Sequence, residues 1–126
     1  MRLTMCSIHV TDPARAHAFY TEILGFETLI SIPEHSLYVV NGPGQDTGLM
    51  LEPSSHPVAA AYMTGLRKEG FPVIVVGTDD LDGDIQRLTK AGVRFIGDKF
   101  EDGSGSSINL DDTVGNIVQL HEAAGA

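Results

Sequence analysis

A carboxylate and an amide stand at matching points in the two halves of this chain, and both can act on a small molecule. Glu52 ends one apolar run, and Gln119 lies in a similar run 67 residues later. A carboxylate can take up a proton as a base, and an amide can orient a carbonyl or hydroxyl group. The structural alternatives are an exposed strand end before Pro53 for Glu52, and a polar residue that satisfies a neighbour for Gln119.

Two histidines extend this set. His9 belongs to the first strand pattern, where an imidazole can bind a ligand or transfer a proton, or can be a partly solvated strand-end residue. His121, near the C-terminus, is more typical of a solvated strand end. Tyr38 and Asn109 are further polar candidates, and tyrosine is common both in cores and in pockets.

The alternation of side chains along the strand patterns separates a core face from a second face that mixes polar and apolar residues. Ile8, Leu51, Val118 and Leu120 share the core face. The mixed face is typical of a ligand-lined concave surface. The residues predicted to line this cleft are Met5, Ser7, His9, Tyr38, Met50, Glu52, Val73, Asn109, Gln119 and His121.

An internal repeat positions these residues. Asp12 and Asp79 precede helical patterns, and Gly25 and Gly92 end them; each pair lies 67 residues apart. Asp79 or Asp80 is suited to cap the second helix, and glycine is suited to a left-handed helix end. The repeat predicts a βαβββ module in residues 1–53 and another in residues 72–122.

Residues 54–71 are predicted to form a connecting helix between the modules, which makes residues 1–126 a single domain of the α+β class. Its eight strands are predicted to form one curved mixed sheet around a cleft. Whether the modules pair within one chain or across a two-fold dimer is left open by the pattern.

Several residues receive local structural predictions. Cys6 lies on the core face and is predicted to be a small buried group rather than a nucleophile. Ser54 or Ser55 is predicted to cap the helix that begins at His56. His17 is predicted to be a surface residue, as is His35. The Gly/Ser-rich segment 101–107 is predicted to be a mobile lip over the cleft.

The charge balance excludes several partners. With 8 Lys and Arg against 17 Asp and Glu, the net charge is −9. Binding to nucleic acid phosphates or to an anionic membrane surface needs clustered cations, so neither is expected. The negative charge would instead concentrate a cationic small molecule.

The cysteine count and the hydropathy pattern exclude further kinds of site and segment. A single cysteine excludes an intramolecular disulfide and a multi-cysteine metal site. No apolar run approaches the length of a membrane span, and the first residues read as a strand rather than a signal peptide. A cytoplasmic protein is therefore expected.

Two segments resemble the vicinal-oxygen-chelate superfamily, which includes glyoxalase I, bleomycin-resistance proteins and extradiol dioxygenases. The segment VTDPARAHAFYTEILGFE is similar to the family's opening pattern FY..vLGF, and DDTVGNIVQLHE is similar to its closing pattern DP.GN..eL.E. The resemblance covers residues 1–122 and implies the fold of paired βαβββ modules and a homodimer. It leaves the reaction open, because one fold supports many chemistries.

The resemblance also implies where a metal would be held. The family's ligand positions correspond to Met5, Glu52, Val73 and Gln119, where the family's enzymes have histidine, glutamine or glutamate. Transition metals prefer imidazole or thiolate, and a catalytic site needs about three protein ligands. No metal and no other cofactor is therefore predicted, with a displaced site of His9, Glu52 and His121 as the alternative.

Two functions follow as hypotheses. The first is metal-independent binding of a small, cationic organic molecule, as in bleomycin-resistance proteins. The second is an enzyme, either a glyoxalase-like lyase or isomerase or an extradiol-type dioxygenase, in which Zn, Ni, Mn or Fe would polarise vicinal oxygens while Glu52 moves a proton. A metal-free variant would use Glu52 as base with His9 or Gln119 stabilising an oxyanion.

Overall fold

The computed structural model of the protein describes residues 1–125. The first half of the chain forms one module of strands and a helix. Its elements are β1 (Met5–Val10), α1 (Pro13–Ala18), which continues as a π-helical turn (Phe19–Ile23), β2 (Glu27–Ile32), β3 (Leu37–Asn41) and β4 (Gly48–Pro53).

The second half repeats this order after a connecting helix, α2. The elements are α2 (Pro57–Lys68), β5 (Ile74–Gly77), α3 (Leu81–Lys90), β6 (Phe95–Asp102), β7 (Gly105–Asp111) and β8 (Ile117–Ala123).

Each module folds into one four-stranded mixed sheet. The strand order is β1-β4-β3-β2 in the first sheet and β5-β8-β7-β6 in the second. In each sheet the first strand pairs in parallel with the last, and the other pairs are antiparallel. The predicted α+β class and the two βαβββ modules are confirmed, with the eight strands divided between two sheets.

The helix ends follow the repeat seen in the sequence, with the cap of the second helix at Asp80, one residue after the position that matches Asp12. Asp12 caps α1 by accepting a hydrogen bond from the Arg15 N–H, and Asp80 caps α3 by accepting from the Gly83 N–H, at 3.2 and 3.0 Å. Gly25 and Gly92 then turn the chain with φ of 83° and 86°. Glycine adopts this left-handed conformation without a steric penalty, so the chain leaves both helices in the same way.

Helix α2 begins differently from the prediction. Its N-cap is His56, whose Nδ1 accepts a hydrogen bond from the Val58 N–H at 3.1 Å. The predicted caps, Ser54 and Ser55, lie before this position. An unprotonated imidazole nitrogen two residues from a free backbone N–H serves the same purpose as a hydroxyl oxygen.

The two modules share one hydrophobic core. We call the face of each sheet that packs on the helices its inner face, and the opposite face its outer face. The buried core contains side chains from the helices and from both inner faces. Among them are Ile8, Val10, Tyr20, Val40, Leu51, Leu81, Leu88, Leu110, Val118 and Leu120.

Three local predictions are wrong. Cys6 is exposed although it lies on the inner face, because the core ends before it. His17 is half-buried, stacked on Tyr38 and hydrogen-bonded through Nε2 to the Thr28 hydroxyl at 2.8 Å. Segment 101–107 is the tip of the β6–β7 hairpin rather than a lip, since its residues continue the ladder from Asp102 and Gly105.

Within residues 1–125, none of the helices has both the length and the apolar character needed to cross a bilayer.

Candidate functional site

The outer face of the first sheet carries most of the side chains predicted for the cleft. Strand register places Met5 beside Gly48, Ser7 beside Met50, and His9 beside Glu52. Their neighbours Leu49 and Leu51 point into the core, so this set points away from it.

Met5 and Glu52 lie at opposite ends of this face. Glu52 pairs with His9, which is four residues from Met5 along the same strand. At about 3.3 Å per residue, the Cα atoms of Met5 and His9 are separated by roughly 13 Å. Met5 and Glu52 therefore lie on the same face of the single chain but too far apart to hold one ion between them.

The His9 ring is oriented by a contact with the backbone of β4. Its Nδ1 lies 3.3 Å from the Pro53 carbonyl oxygen, which can only accept a hydrogen bond. A hydrogen bond at this contact requires the hydrogen to lie on Nδ1. His9 also borders a shallow pocket of about 370 Å³, whose other walls are His56, Val58, Ala59 and Tyr62.

The outer face of the second sheet carries a row of hydrogen-bonded polar side chains, which we call the polar row. Ser107 Oγ and His121 Nδ1 are 2.8 Å apart, and Gln119 Nε2 donates to Asn109 Oδ1 at 3.2 Å. Both pairs join β7 to β8 at positions that lie directly opposite each other. Each hydrogen bond holds its two side chains in place. The Asn109 amide nitrogen and the Gln119 carbonyl oxygen take no part in these two contacts.

The strand next to the polar row presents Val75 rather than Val73. Val75 pairs with Gln119 and is 60% exposed. Val73 precedes β5, donates its N–H to the Ile117 carbonyl oxygen and packs partly buried against the core. The predicted place of Val73 in the cleft is wrong, because the parallel register of β5 on β8 puts Val75 beside Gln119.

Tyr38 also lies on the opposite side from the prediction. Val39 pairs with Met50 on the outer face, so Tyr38 and Val40 face inward. The Tyr38 ring is buried and stacks on His17 of α1, with ring centroids 4.9 Å apart. Alternation within β3 could not reveal which of its two mixed faces is the inner one, since both carry large apolar residues.

The remaining predicted cleft residues are at their expected positions on the outer faces. Ser107, which is not among the predicted cleft residues, contacts His121 on this face. That any of these residues bind a ligand stays a prediction.

Apolar side chains are exposed around the same surfaces. Leu29 and Ile30 of β2 flank the first outer face, together with Met5. Phe100 pairs with Ser107 at the edge of the polar row and is 43% exposed. Exposed apolar groups beside fixed polar ones are typical of interaction surfaces.

The residues present do not fit a transition-metal site. Within residues 1–125, no group of three or more His, Cys, Asp or Glu side chains is placed to hold a metal ion. This applies to the family-like positions and to the displaced set of His9, Glu52 and His121. A thioether, a valine, a carboxylate and an amide are also poor donors for such metals.

A cavity of about 550 Å³ lies between the modules and was not predicted from the sequence. Its walls include Cys6 and Leu49 of the first sheet and Ile74 and Leu120 of the second. The cavity depends on how two inner faces approach each other, which alternation along a strand does not encode.

Known proteins with similar sequences and structures extend over the whole chain. The Bacillus subtilis (strain 168) protein YurT, described as uncharacterized, is 35% identical over 124 residues, which cover 95% of this chain and 98% of YurT. TnmS3, an antibiotic binding protein from Streptomyces sp. CB03234, is 27% identical in sequence to this chain. Its crystal structure matches with a TM-score of 0.78, and the match covers 98% of this chain and 97% of TnmS3. The crystal structure of UcmS2 is also 27% identical, with a TM-score of 0.79, covering 96% and 97%.

These matches agree with the repeat, the paired modules and the motifs at α1 and before β8. A family model described as Glyoxalase/Bleomycin resistance protein/Dioxygenase superfamily matches residues 2–120, and the chain therefore belongs to this superfamily.

Proposed function

We propose that this protein binds a small organic molecule on the outer faces of its sheets and does so without a metal. The main observation that supports this proposal is the polar row. Its four side chains are held by one another, so they meet a ligand without first losing conformational freedom. An antibiotic binding protein among the structural relatives supports the same class of function.

The chemistry of the outer faces favours a ligand with mixed character. The polar row presents both donors and acceptors, while Val75 and Phe100 offer apolar contacts on either side of it. Pockets for small molecules combine apolar walls with a few fixed polar groups.

A positive charge on the ligand is supported by Glu52. This carboxylate is half-buried beside His9 and forms no ion pair within residues 1–125. The net charge of −9 adds a negative potential over the whole surface. A basic group on the ligand would therefore find its partner at the first outer face.

We infer that two copies of the chain combine to complete each cleft. Both inner faces pack in one core, so each outer face turns away from it and the two outer faces of one chain do not close on each other. Leu29, Ile30 and Ile32 of β2 are all exposed. A second copy that covers these side chains would bring a first outer face opposite a second one.

The metal-dependent lyase or dioxygenase alternative has weaker support. Such a reaction needs a metal with an open coordination position, and the side chains that would hold it do not fit, as described above. In the described part of the chain, Glu52 and His9 lie together without a third metal-binding side chain.

The test is a thermal-shift screen of basic antibiotics, metal-free bleomycin among them, in metal-free buffer. A compound that raises the midpoint is then titrated by calorimetry into the unaltered protein and into Gln119→Leu. We expect the Kd to rise at least tenfold in the variant, since a buried ligand group would lose its partner.

Gln86→Leu is the matched control because Gln86 is exposed on α3, away from both outer faces. Its Kd should equal that of the unaltered protein. No stabilisation by any basic antibiotic, or the same Kd in Gln119→Leu, would overturn the proposal.

A further inference from the structure

The cavity between the modules lies mainly on the inner side of the sheets and reaches the edge strand β5 at Val75. Its wall combines apolar and polar side chains in nearly equal parts. The polar part includes Asn41, Gln45 and Thr47, and the Asn41 Oδ1 atom is buried without a hydrogen-bond partner within residues 1–125. The apolar part includes Leu24, Phe26, Ile74, Val76, Leu88 and Leu120.

The shared core stops short of this space. Ile8 and Val10 on the inner face of β1 are 2% and 0% exposed, but Cys6, the next inner-face residue of the same strand, is exposed. Ile74 and Val76 on the inner face of β5 are only half-buried. Side chains that would normally be covered by core packing are left uncovered around the cavity.

The charged groups in the wall neutralise each other. Arg87 lies 3.5 Å from the Asp84 carboxylate and donates to the Ile23 carbonyl oxygen at 2.9 Å. The second oxygen of Asp84 accepts from the Thr78 hydroxyl at 2.5 Å. Among the described residues that line the cavity, Asp84 and Arg87 are the charged ones, and their pairing leaves no free partner for a charged ligand.

We propose that this inter-module cavity is a second binding site, which takes a small, uncharged molecule with an apolar body and a hydrogen-bond donor. Its volume of about 550 Å³ falls within the usual range of small-molecule pockets, roughly 300–1,000 Å³. The ligand covers the inner-face side chains that the core leaves exposed. The Cys6 thiol forms part of the wall and reports on occupancy.

Two neighbouring residues separate this site from the outer faces. Cys6 points to the cavity, and Ser7, the next residue of β1, points to the outer face beside Met50. A bulky side chain at one of these positions blocks one site and leaves the other open.

The first experiment uses the unaltered protein with 2-naphthol as the probe and iodoacetamide as the thiol reagent. Cys6 is the single cysteine, so the alkylation rate reports on this cavity alone. We expect saturating 2-naphthol to slow alkylation at least threefold, and 2-naphthoate, the anionic analogue, to have no effect. Equal protection by both compounds, or by neither, would overturn the proposal.

The second experiment measures 2-naphthol binding by calorimetry in Cys6→Phe and Ser7→Phe. Binding should be lost in Cys6→Phe and kept in Ser7→Phe. The reverse pattern would place the probe on the outer face and overturn the proposal. If Cys6→Phe does not fold, the alkylation experiment still decides.

A second copy of the chain is the competing occupant. In that case the alkylation rate without any probe would fall as the protein concentration rises, and the proposal would fail. Failure here is distinct from failure of the outer-face function, because binding of a basic antibiotic is expected to be unchanged in Cys6→Phe.

Discussion

Tyr20 donates its hydroxyl hydrogen to Oδ2 of Asp112 across 2.8 Å, and this buried hydrogen bond joins the first module to the second. The other oxygen of Asp112 accepts from the backbone N–H groups of Val114 and Asn116, each at 2.9 Å. Burial, followed by the charge of Asp112, raises the pKa of Tyr20 well above its ordinary value, which keeps the hydroxyl a donor. One carboxylate therefore fixes the loop before β8 against the helix of the other module.

Replacing Tyr20→Phe removes this bond and leaves a buried carboxylate oxygen without its partner. We expect the free energy of unfolding in urea to fall by about 1–3 kcal/mol. Tyr38→Phe is the control, because the Tyr38 ring contributes by stacking on His17 and its hydroxyl has no hydrogen bond within residues 1–125. Equal loss in both variants would contradict a specific role for the Tyr20 hydroxyl.

The same carboxylate predicts how stability depends on pH. Burial raises the pKa of Asp112 above its ordinary value of 3.8, although the hydrogen bonds from Asn116, Val114 and Tyr20 oppose this. A raised folded-state pKa means that the proton is held more tightly in the folded chain. The resulting stabilisation is fully present below pH 3.8 and is lost as the pH rises through the folded-state value.

The measurement compares urea unfolding of the unaltered protein with Asp112→Asn from pH 7 down towards pH 4. The unaltered protein should gain stability relative to the variant on acidification, since the other carboxylates contribute almost equally to both proteins. A difference that stays constant with pH, or changes in the opposite direction, would show that Asp112 does not carry this dependence.

Replacing two different glycines with alanine should change the stability of the protein in opposite directions. Gly92 has φ of 86° after α3, whereas Gly65 lies inside α2 with no atom within 4 Å of an added Cβ. Gly92→Ala should destabilise the protein by about 1 kcal/mol, and Gly65→Ala should stabilise it by about 0.5–1 kcal/mol. Thermal unfolding of both variants checks this, and a shift in the same direction for both would refute it.

The sequence could predict features that depend on a few neighbouring residues. Asp12 and Gly25 determine the start and end of one helix, Asp80 and Gly92 do so for the other, and offsets of 68 and 67 residues between the matching positions reveal the modules. The motifs around α1 and before β8 identify the superfamily, and the structure then adds that Tyr20 and Asp112 within those motifs bond to each other.

Register and packing between elements could not be predicted in the same way. Pairing of β1 with β4 places His9 rather than Met5 beside Glu52, and pairing of β5 with β8 places Val75 beside Gln119. Both depend on loop lengths and on contacts distant in the chain. The exposure of Cys6 depends on where the shared core ends, and this cannot be inferred from the residues of one strand.

The proposed assembly of two copies gives a prediction about β2. Ile30 is 38% exposed on the first outer face, where a second copy would cover it. Ile30→Lys should shift the protein from dimer to monomer in sedimentation velocity, because a charge would be buried in the contact. Val58→Lys is the control, since Val58 is exposed on α2. A monomeric unaltered protein, or an unchanged dimer in Ile30→Lys, would contradict the assembly.

The donor set of the outer faces predicts independence from transition metals. Met5 and Val73 replace the expected ligands, and Glu52 and His9 alone are too few for a stable site. Elemental analysis should find no stoichiometric Zn, Ni, Mn or Fe, and EDTA should leave both the thermal midpoint and antibiotic binding unchanged. Glu52→Gln should weaken a cationic ligand without altering metal content. Stoichiometric metal whose removal lowers the midpoint in the unaltered protein but not in Glu52→Gln would instead establish Glu52 as a ligand, and the metal-dependent alternative would then be favoured.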